Sequence, residues 1–159
     1  MLNGPLTIDP SGSGTVSELE RNKAVCKAFY RELGRRDFAA ALSHLSDDVV
    51  WWVQGDWEGA GFYRGKAAVE GLLAPIKYAI ATDIDFKFGH MTAEEDRVSF
   101  ELTGAATTSD GSDYRMTYHF LFTIRDGKIH EGHEYLDTKK LWDVLLSKNS
   151  LAKLAAIHD

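Results

Sequence analysis

The dipeptide Asp126-Gly127 lies between two runs of alternating apolar residues, Tyr114 to Ile124 and Ile129 to Leu136. A two-residue type I′ turn needs positive φ at both central positions, which Asp-Gly supplies, so the pair predicts a tight β-hairpin. Such a turn sets the strand register: Arg125 opposite Lys128, Phe120 opposite His133, Tyr118 opposite Tyr135 and Met116 opposite Asp137. Paired residues share a face and successive residues alternate between faces. One face then collects Met116, Tyr118, Phe120, Phe122, Ile124, Ile129, Glu131, His133, Tyr135 and Asp137. The other collects Arg115, Thr117, His119, Leu121, Thr123, His130, Glu134 and Leu136. The first face is the more apolar and is expected to lie against the core.

The elements around this hairpin bound the fold class. Ser17-x-x-Glu20 is a capping box ahead of Val25, Phe29 and Leu33 at helical spacing, and Gly34 ends that helix. Asp37 caps a short helix through Leu45, Ser46-Asp47-Asp48 reads as a turn, and Val49 to Val53 reads as a strand. Gln54 to Arg64, with three glycines, reads as loop. A helix runs from about Lys66 to Ala79, bent or broken at Pro75. Strands follow at Ile84 to Phe88 and Val98 to Thr107, with a turn at Ser109 to Ser112 before the hairpin. Leu141 to Leu146 and Leu151 to Leu154 read as a terminal helix, broken near Asn149-Ser150. Helices first and strands after argue an α+β fold with a mostly antiparallel sheet.

With 159 residues, the chain fits a flexible leader over 1–16 and a single domain over 17–159. A net charge of -6 without a Lys/Arg cluster argues against nucleic acid and anionic membranes as partners. No apolar run approaches a membrane span, and the N-terminus lacks the pattern of a secretory signal. The one cysteine, Cys26, sits in an apolar stretch and reads as a buried structural thiol, so a cytoplasmic location is expected. His130-x-x-His133 lies on a strand, where i and i+3 point apart; with no zinc, calcium or phosphate-loop motif either, no metal or cofactor is expected.

Four residues on the apolar hairpin face are polar: Glu131, His133, Tyr135 and Asp137. A carboxylate enclosed on such a face has a displaced pKa, the property general acid–base chemistry uses. Asp137 reads equally as a pocket acid or as the N-cap of the terminal helix, since Asp137-Thr138 immediately precedes it. Glu101 faces inward if the preceding turn centres on Asp110-Gly111, and outward if the register shifts by one to bring Val98, Phe100 and Leu102 inside. Trp51 and Trp52 point to opposite faces, one as core or pocket wall and the other under the following loop. Trp57, Phe62 and Tyr63 read either as an aromatic lid or as plain packing.

The stretch "GRRDFAAALSHLSDDVVWW" from Gly34 to Trp52 resembles the second helix and first strand of the SnoaL-like group in the nuclear transport factor 2-like superfamily. "YRGKAAVEGLL" resembles its third-helix entry, and "YHFLFTIRDGKIHEGHEYLDT" its closing hairpin. The resemblance implies a cone-shaped α+β barrel, with N-terminal helices packed on a curved sheet and a C-terminal helix. It also implies a cofactor-free pocket for a small hydrophobic ligand and a homodimer through the outer sheet face. Relatives include polyketide cyclases, ketosteroid isomerases and limonene-type epoxide hydrolases. Asp137 matches the acidic residue that ends the last strand in the epoxide-hydrolase type. Glu101 and Thr103 stand where that type has an Arg-x-Asp pair, so its triad is absent. Val53 or Gln54 stands near the base of the steroid isomerases and Phe29 near their tyrosine, so that pattern is absent too.

The expected function is a cofactor-independent isomerase, cyclase or lyase acting by proton transfer, with a non-catalytic ligand-binding or dimerisation module as the alternative. Asp137, His133 and Tyr118 are the expected catalytic residues. Trp51, Trp52, Tyr63, Glu101, Met116, Phe120 and Tyr135 are the expected binding residues.

Overall fold

A computed structural model of the chain describes residues 17–146. The 1–16 leader, the break near Asn149-Ser150 and the helical turn at Leu151 to Leu154 lie outside the described residues.

Helix α1 (Glu18–Gly34) begins where Ser17 Oγ accepts the Glu20 backbone N–H, as the capping box predicts. It buries Cys26, Phe29, Tyr30 and Leu33. Desolvation pushes the Cys26 thiol up to about 12, so it stays protonated and is no nucleophile. Asp37 caps α2 (Phe38–Leu42), its carboxylate accepting the Ala40 N–H at 3.0 Å. Helix α3 (Lys66–Ala79) carries Pro75 without a break. A short helix α4 (Thr138–Leu141) and one π-helical turn (Trp142–Leu146) close the described chain. No helix among the described residues is long and apolar enough to cross a membrane.

Six strands form one curved, unclosed sheet: β1 (Leu45–Val53), β2 (Gly61–Arg64), β3 (Asp85–Glu94), β4 (Arg97–Thr107), β5 (Asp113–Arg125) and β6 (Lys128–Leu136). Their order is β2-β1-β6-β5-β4-β3, antiparallel except for the parallel β1–β6 pair. Two local expectations are corrected. Ser46 to Asp48 is no turn but the first half of β1, where pairing with β6 is irregular between Leu45 and Val50. The segment read wholly as loop contains β2, because Phe62 and Tyr63 find partners in Trp52 and Trp51.

In the β4–β5 pair the pattern-favoured register prevails: Phe100 faces Phe120, and Glu101 faces His119. This puts Val98, Phe100 and Leu102 in the core and leaves Glu101 exposed on the outer face. The aromatic core gathers around Tyr30, whose ring meets Phe86, Phe88, Phe100, Phe120 and Phe122 at 5.1–6.2 Å between centroids.

The hairpin turn forms as expected, with φ 51° at Asp126 and 69° at Gly127 and Arg125 paired with Lys128. Its register does not persist. Ile124 pairs with Ile129, but Thr123 pairs with Glu131, so His130 is an extra residue on β6. This β-bulge turns every later side chain of β6 over. Leu121 faces His133, Phe120 faces Glu134, His119 faces Tyr135 and Tyr118 faces Leu136.

The bulge wins on energy. A regular ladder would turn Glu131, His133 and Asp137 toward the helices and push Leu136 out. The bulge puts Gly132, Glu134 and Leu136 there instead. Turning Leu136 out to water alone costs about 1.5–3 kcal/mol, against about 1 kcal/mol for an interrupted ladder bond. Gly132 is what makes the close approach possible. A Cβ there would lie 2.7–3.1 Å from the six-membered ring of Trp51, which is buried and cannot yield.

Candidate active site

The inward rows of the sheet define the site. Tyr63, Trp51, Gly132 and Phe122 form one row across β2, β1, β6 and β5. Val53, Glu134, Phe120 and Phe100 form the next, across β1, β6, β5 and β4. In this otherwise apolar row Glu134 is the one carboxylate. Its Oε2 accepts the indole N–H of Trp51 at 2.9 Å, and among the described residues no Lys, Arg or His forms an ion pair with it. Desolvation raises its pKa to about 7, and the Trp51 hydrogen bond only partly opposes that rise. Near neutral pH the group is therefore present in both protonation states.

Four tyrosines surround this carboxylate closely enough for its charge to oppose their ionisation: Tyr30 from α1, Tyr63 from β2, and Tyr114 and Tyr118 from β5. Burial is the larger cause in each and holds the phenols protonated, Tyr114 at about 12. The hydroxyls of Tyr114 and Tyr118 are hydrogen-bonded to each other. One phenol of the pair donates to the other, so one O–H remains to donate elsewhere. Tyr63 donates to the Gly59 carbonyl at 2.9 Å, and the Trp57 indole to the Gln54 carbonyl at 3.0 Å. The Gln54 N–H in turn donates to the Glu134 carbonyl, which ties the 54–60 loop to the site.

Accessibility separates the site from the core behind it. Glu134, Tyr118, Tyr63 and Phe86 are half-buried although they belong to the helix-covered side. Trp51, Phe100 and Phe120 beside them are at most 2% exposed.

The expected site residues divide between the two faces. Trp51, Tyr63, Met116, Tyr118 and Phe120 lie inside, Met116 and Phe120 as closed core. His133, Tyr135, Trp52 and Glu101 lie on the outer face, a correction that follows from the bulge for the first two and from the β4–β5 register for Glu101. Trp52 packs there at a tilt against His133 and edge-on against Tyr135, at 5.6 and 5.4 Å between centroids. Asp137 is exposed and caps α4, accepting the Lys140 N–H at 3.0 Å; of its two readings the structure takes the cap. Phe62 stands outside, 61% exposed, so the three aromatics of the 57–63 segment form no common lid. Glu134, Tyr114 and Tyr30 were missing from the expected set. Gly132 was the available signal, since a glycine inside a strand pattern marks a bulge or a close approach.

The outer face holds a shallow hollow of about 420 Å³ lined by Ser99, His119, Leu121 and Tyr135. Ser99 Oγ and His119 Nε2 are hydrogen-bonded there at 2.9 Å. Among the described residues no group of three or more His, Cys, Asp or Glu is placed to hold a metal ion.

Comparison with known proteins agrees with this architecture. A family model described as SnoaL-like domain matches residues 26–132. A nuclear transport factor 2-like protein of unknown function from Burkholderia pseudomallei superimposes with TM-score 0.67 at 18% identity, covering 79% of this chain and 97% of that one. A second such protein, from Burkholderia xenovorans, gives TM-score 0.63 at 23% identity, covering 80% and 98%. An epoxide hydrolase of the limonene type from M. tuberculosis gives TM-score 0.64 at 22% identity, covering 88% and 98%. At these identities the likeness shows the fold. No curated protein matches the chain by sequence.

Proposed function

The chain belongs to the SnoaL-like domain family, and on that premise we propose that it is a cofactor-independent isomerase, cyclase or lyase in which Glu134 moves the proton. The observation that carries this reading is the carboxyl itself. It is desolvated on an aromatic face, has one neutral hydrogen-bond donor, and has a pKa of about 7. A base poised near the working pH is the most effective one for abstracting a proton from carbon. The half-buried surface of Glu134, Tyr118 and Tyr63 is where a small hydrophobic substrate would meet it.

Each neighbour has a physical part. The Trp51 indole N–H holds one carboxylate oxygen and leaves the other for the substrate. The free O–H of the Tyr114–Tyr118 pair donates to an oxygen that gains negative charge as the carbon loses its proton. Because burial and the Glu134 charge keep both phenols protonated, the donor is present throughout the neutral range. Glu134 then returns its proton at another carbon or to a leaving group.

Deuterium exchange at the α-carbons of a panel of small cyclic and aryl ketones, followed by proton NMR in D2O, tests the reading. Ketones that exchange with wild-type protein are expected to exchange at least about a hundredfold more slowly with Glu134→Gln, the low end for loss of a general base. Exchange that is equally fast with the variant would remove Glu134 as the base, and a panel in which no ketone exchanges faster with wild-type protein than in buffer would favour a non-catalytic binding module.

A further inference from the structure

Among the described residues the Glu134 carboxylate has no counter-ion. An ionised carboxylate away from water is ordinarily paired with a cation or held by several N–H donors. Here one indole N–H is its hydrogen-bond partner, and the titratable groups facing it are uncharged at neutral pH. These are Tyr30 from α1, Tyr63 from β2, and Tyr114 and Tyr118 from β5. The lysines and arginines whose ion pairs are defined meet other acids, nearly all of them at the surface. The walls beside the carboxylate are aromatic. Tyr118 stacks on Phe120, which pairs with Glu134, at 5.5 Å, and Tyr63 lies across from Trp51, whose indole holds the carboxylate. The faces of such rings carry negative electrostatic potential and attract a cation, most strongly one that is weakly hydrated.

We infer that the ligand of this recess carries a substituted ammonium group, which supplies a counter-ion to Glu134 and packs its alkyl groups against Tyr118 and Tyr63. The inference rests on the reading of Glu134 as the accessible group of the recess and names the ligand class that reading leaves open. An anionic ligand is disfavoured by the same arrangement, since it would bring a second negative charge to a site where the described residues supply no cation.

The cation and its neutral isostere separate the two ideas. Phenyltrimethylammonium and tert-butylbenzene have the same shape and differ by one charge. The indole N–H of Trp51, bonded to the carboxylate, reports binding directly through its 15N–1H cross-peak. The ammonium ion is expected to shift that peak at pH 8 with at least about tenfold higher affinity than tert-butylbenzene. Protonation of Glu134, at about 7, should weaken its binding about tenfold between pH 8 and pH 6. The facing phenols and the Cys26 thiol do not titrate in that window, and the histidines are common to wild type and Glu134→Gln, so the difference between the two belongs to Glu134. Glu134→Gln should abolish both the preference for the cation and its pH dependence. Equal affinity for the two probes would overturn the ammonium inference while leaving the recess in place. A cation that binds Glu134→Gln as tightly as wild type binds elsewhere, and overturns it too. If neither probe moves the Trp51 peak, the recess reading falls together with the inference.

Discussion

Deleting His130 is expected to leave the protein folded with Glu134 still inside, whereas deleting His133, three residues further along the same strand, is expected to cost at least about 3 kcal/mol. His130 is the extra residue between the Ile124–Ile129 and Thr123–Glu131 pairs. Removing it straightens β6 and leaves Gly132, Glu134 and Leu136 on the inner face. The expected cost is about 1–2 kcal/mol, for adjusted ladder bonds to β1. Removing His133 offers no such escape. If the bulge stays, Tyr135 takes the place of Glu134 and Leu136 turns out to water. If the bulge is lost, Glu134 and Leu136 return inside, but Glu131 takes the place of Gly132. The Trp51 ring already fills that space, 2.7 Å from where a Cβ would stand. Urea unfolding of the two deletions decides the matter. Equal stability would mean that the bulge does not set the inner face.

The second large effect is a stability that depends on pH through one side chain. Glu134 holds its proton up to about pH 7 in the folded chain, against about 4.3 when unfolded. Below both values the acid is neutral in each state and costs nothing. Between them the folded chain keeps a proton that the unfolded chain releases, so stability falls as pH rises. Above pH 7 the loss levels off at about 4 kcal/mol, from about 1.4 kcal/mol for each pH unit of displacement. Glu134→Gln keeps an oxygen for the Trp51 N–H and carries no charge at any pH. The variant should match wild type near pH 4 and exceed it by about 4 kcal/mol at pH 8, measured by urea unfolding across that range. The remaining titrating groups are common to both proteins and cancel in the difference. Parallel stability curves would show that Glu134 titrates normally and is not desolvated. The comparison also sets the stabilising effect of the change against its effect on catalysis, since the same substitution removes the proposed base. A site that is less stable with its functional group than without it is what a strained, desolvated active site predicts.

Local chemistry is legible in the sequence, and so is the fold it implies. The capping box at Ser17 and Glu20, the Asp37 cap and the Asp126-Gly127 turn are interactions among residues a few positions apart, and each forms as the residue types require. The alternation of Val98, Phe100 and Leu102 chooses the β4–β5 register, because slipping it would exchange three apolar side chains for polar ones in the core. Together these decide the α+β class, the order of the strands after the helices, and the inner face of β5.

The inner face of β6 was decided only by the assembled sheet. Within the hairpin alone, the regular ladder and the bulged one differ by a single ladder interruption, and Asp126-Gly127 accepts either. What separates them lies in β1 and α1, distant in sequence. Trp51 needs the space over Gly132 and offers its N–H to Glu134, while the helices remove water from whichever side chains face them. A strand has a two-residue period, so one extra residue exchanges its whole inner set for its outer one. For that reason the sequence identified the strand that carries the site, and the tertiary structure chose Glu134 over His133 and Asp137 as its acid.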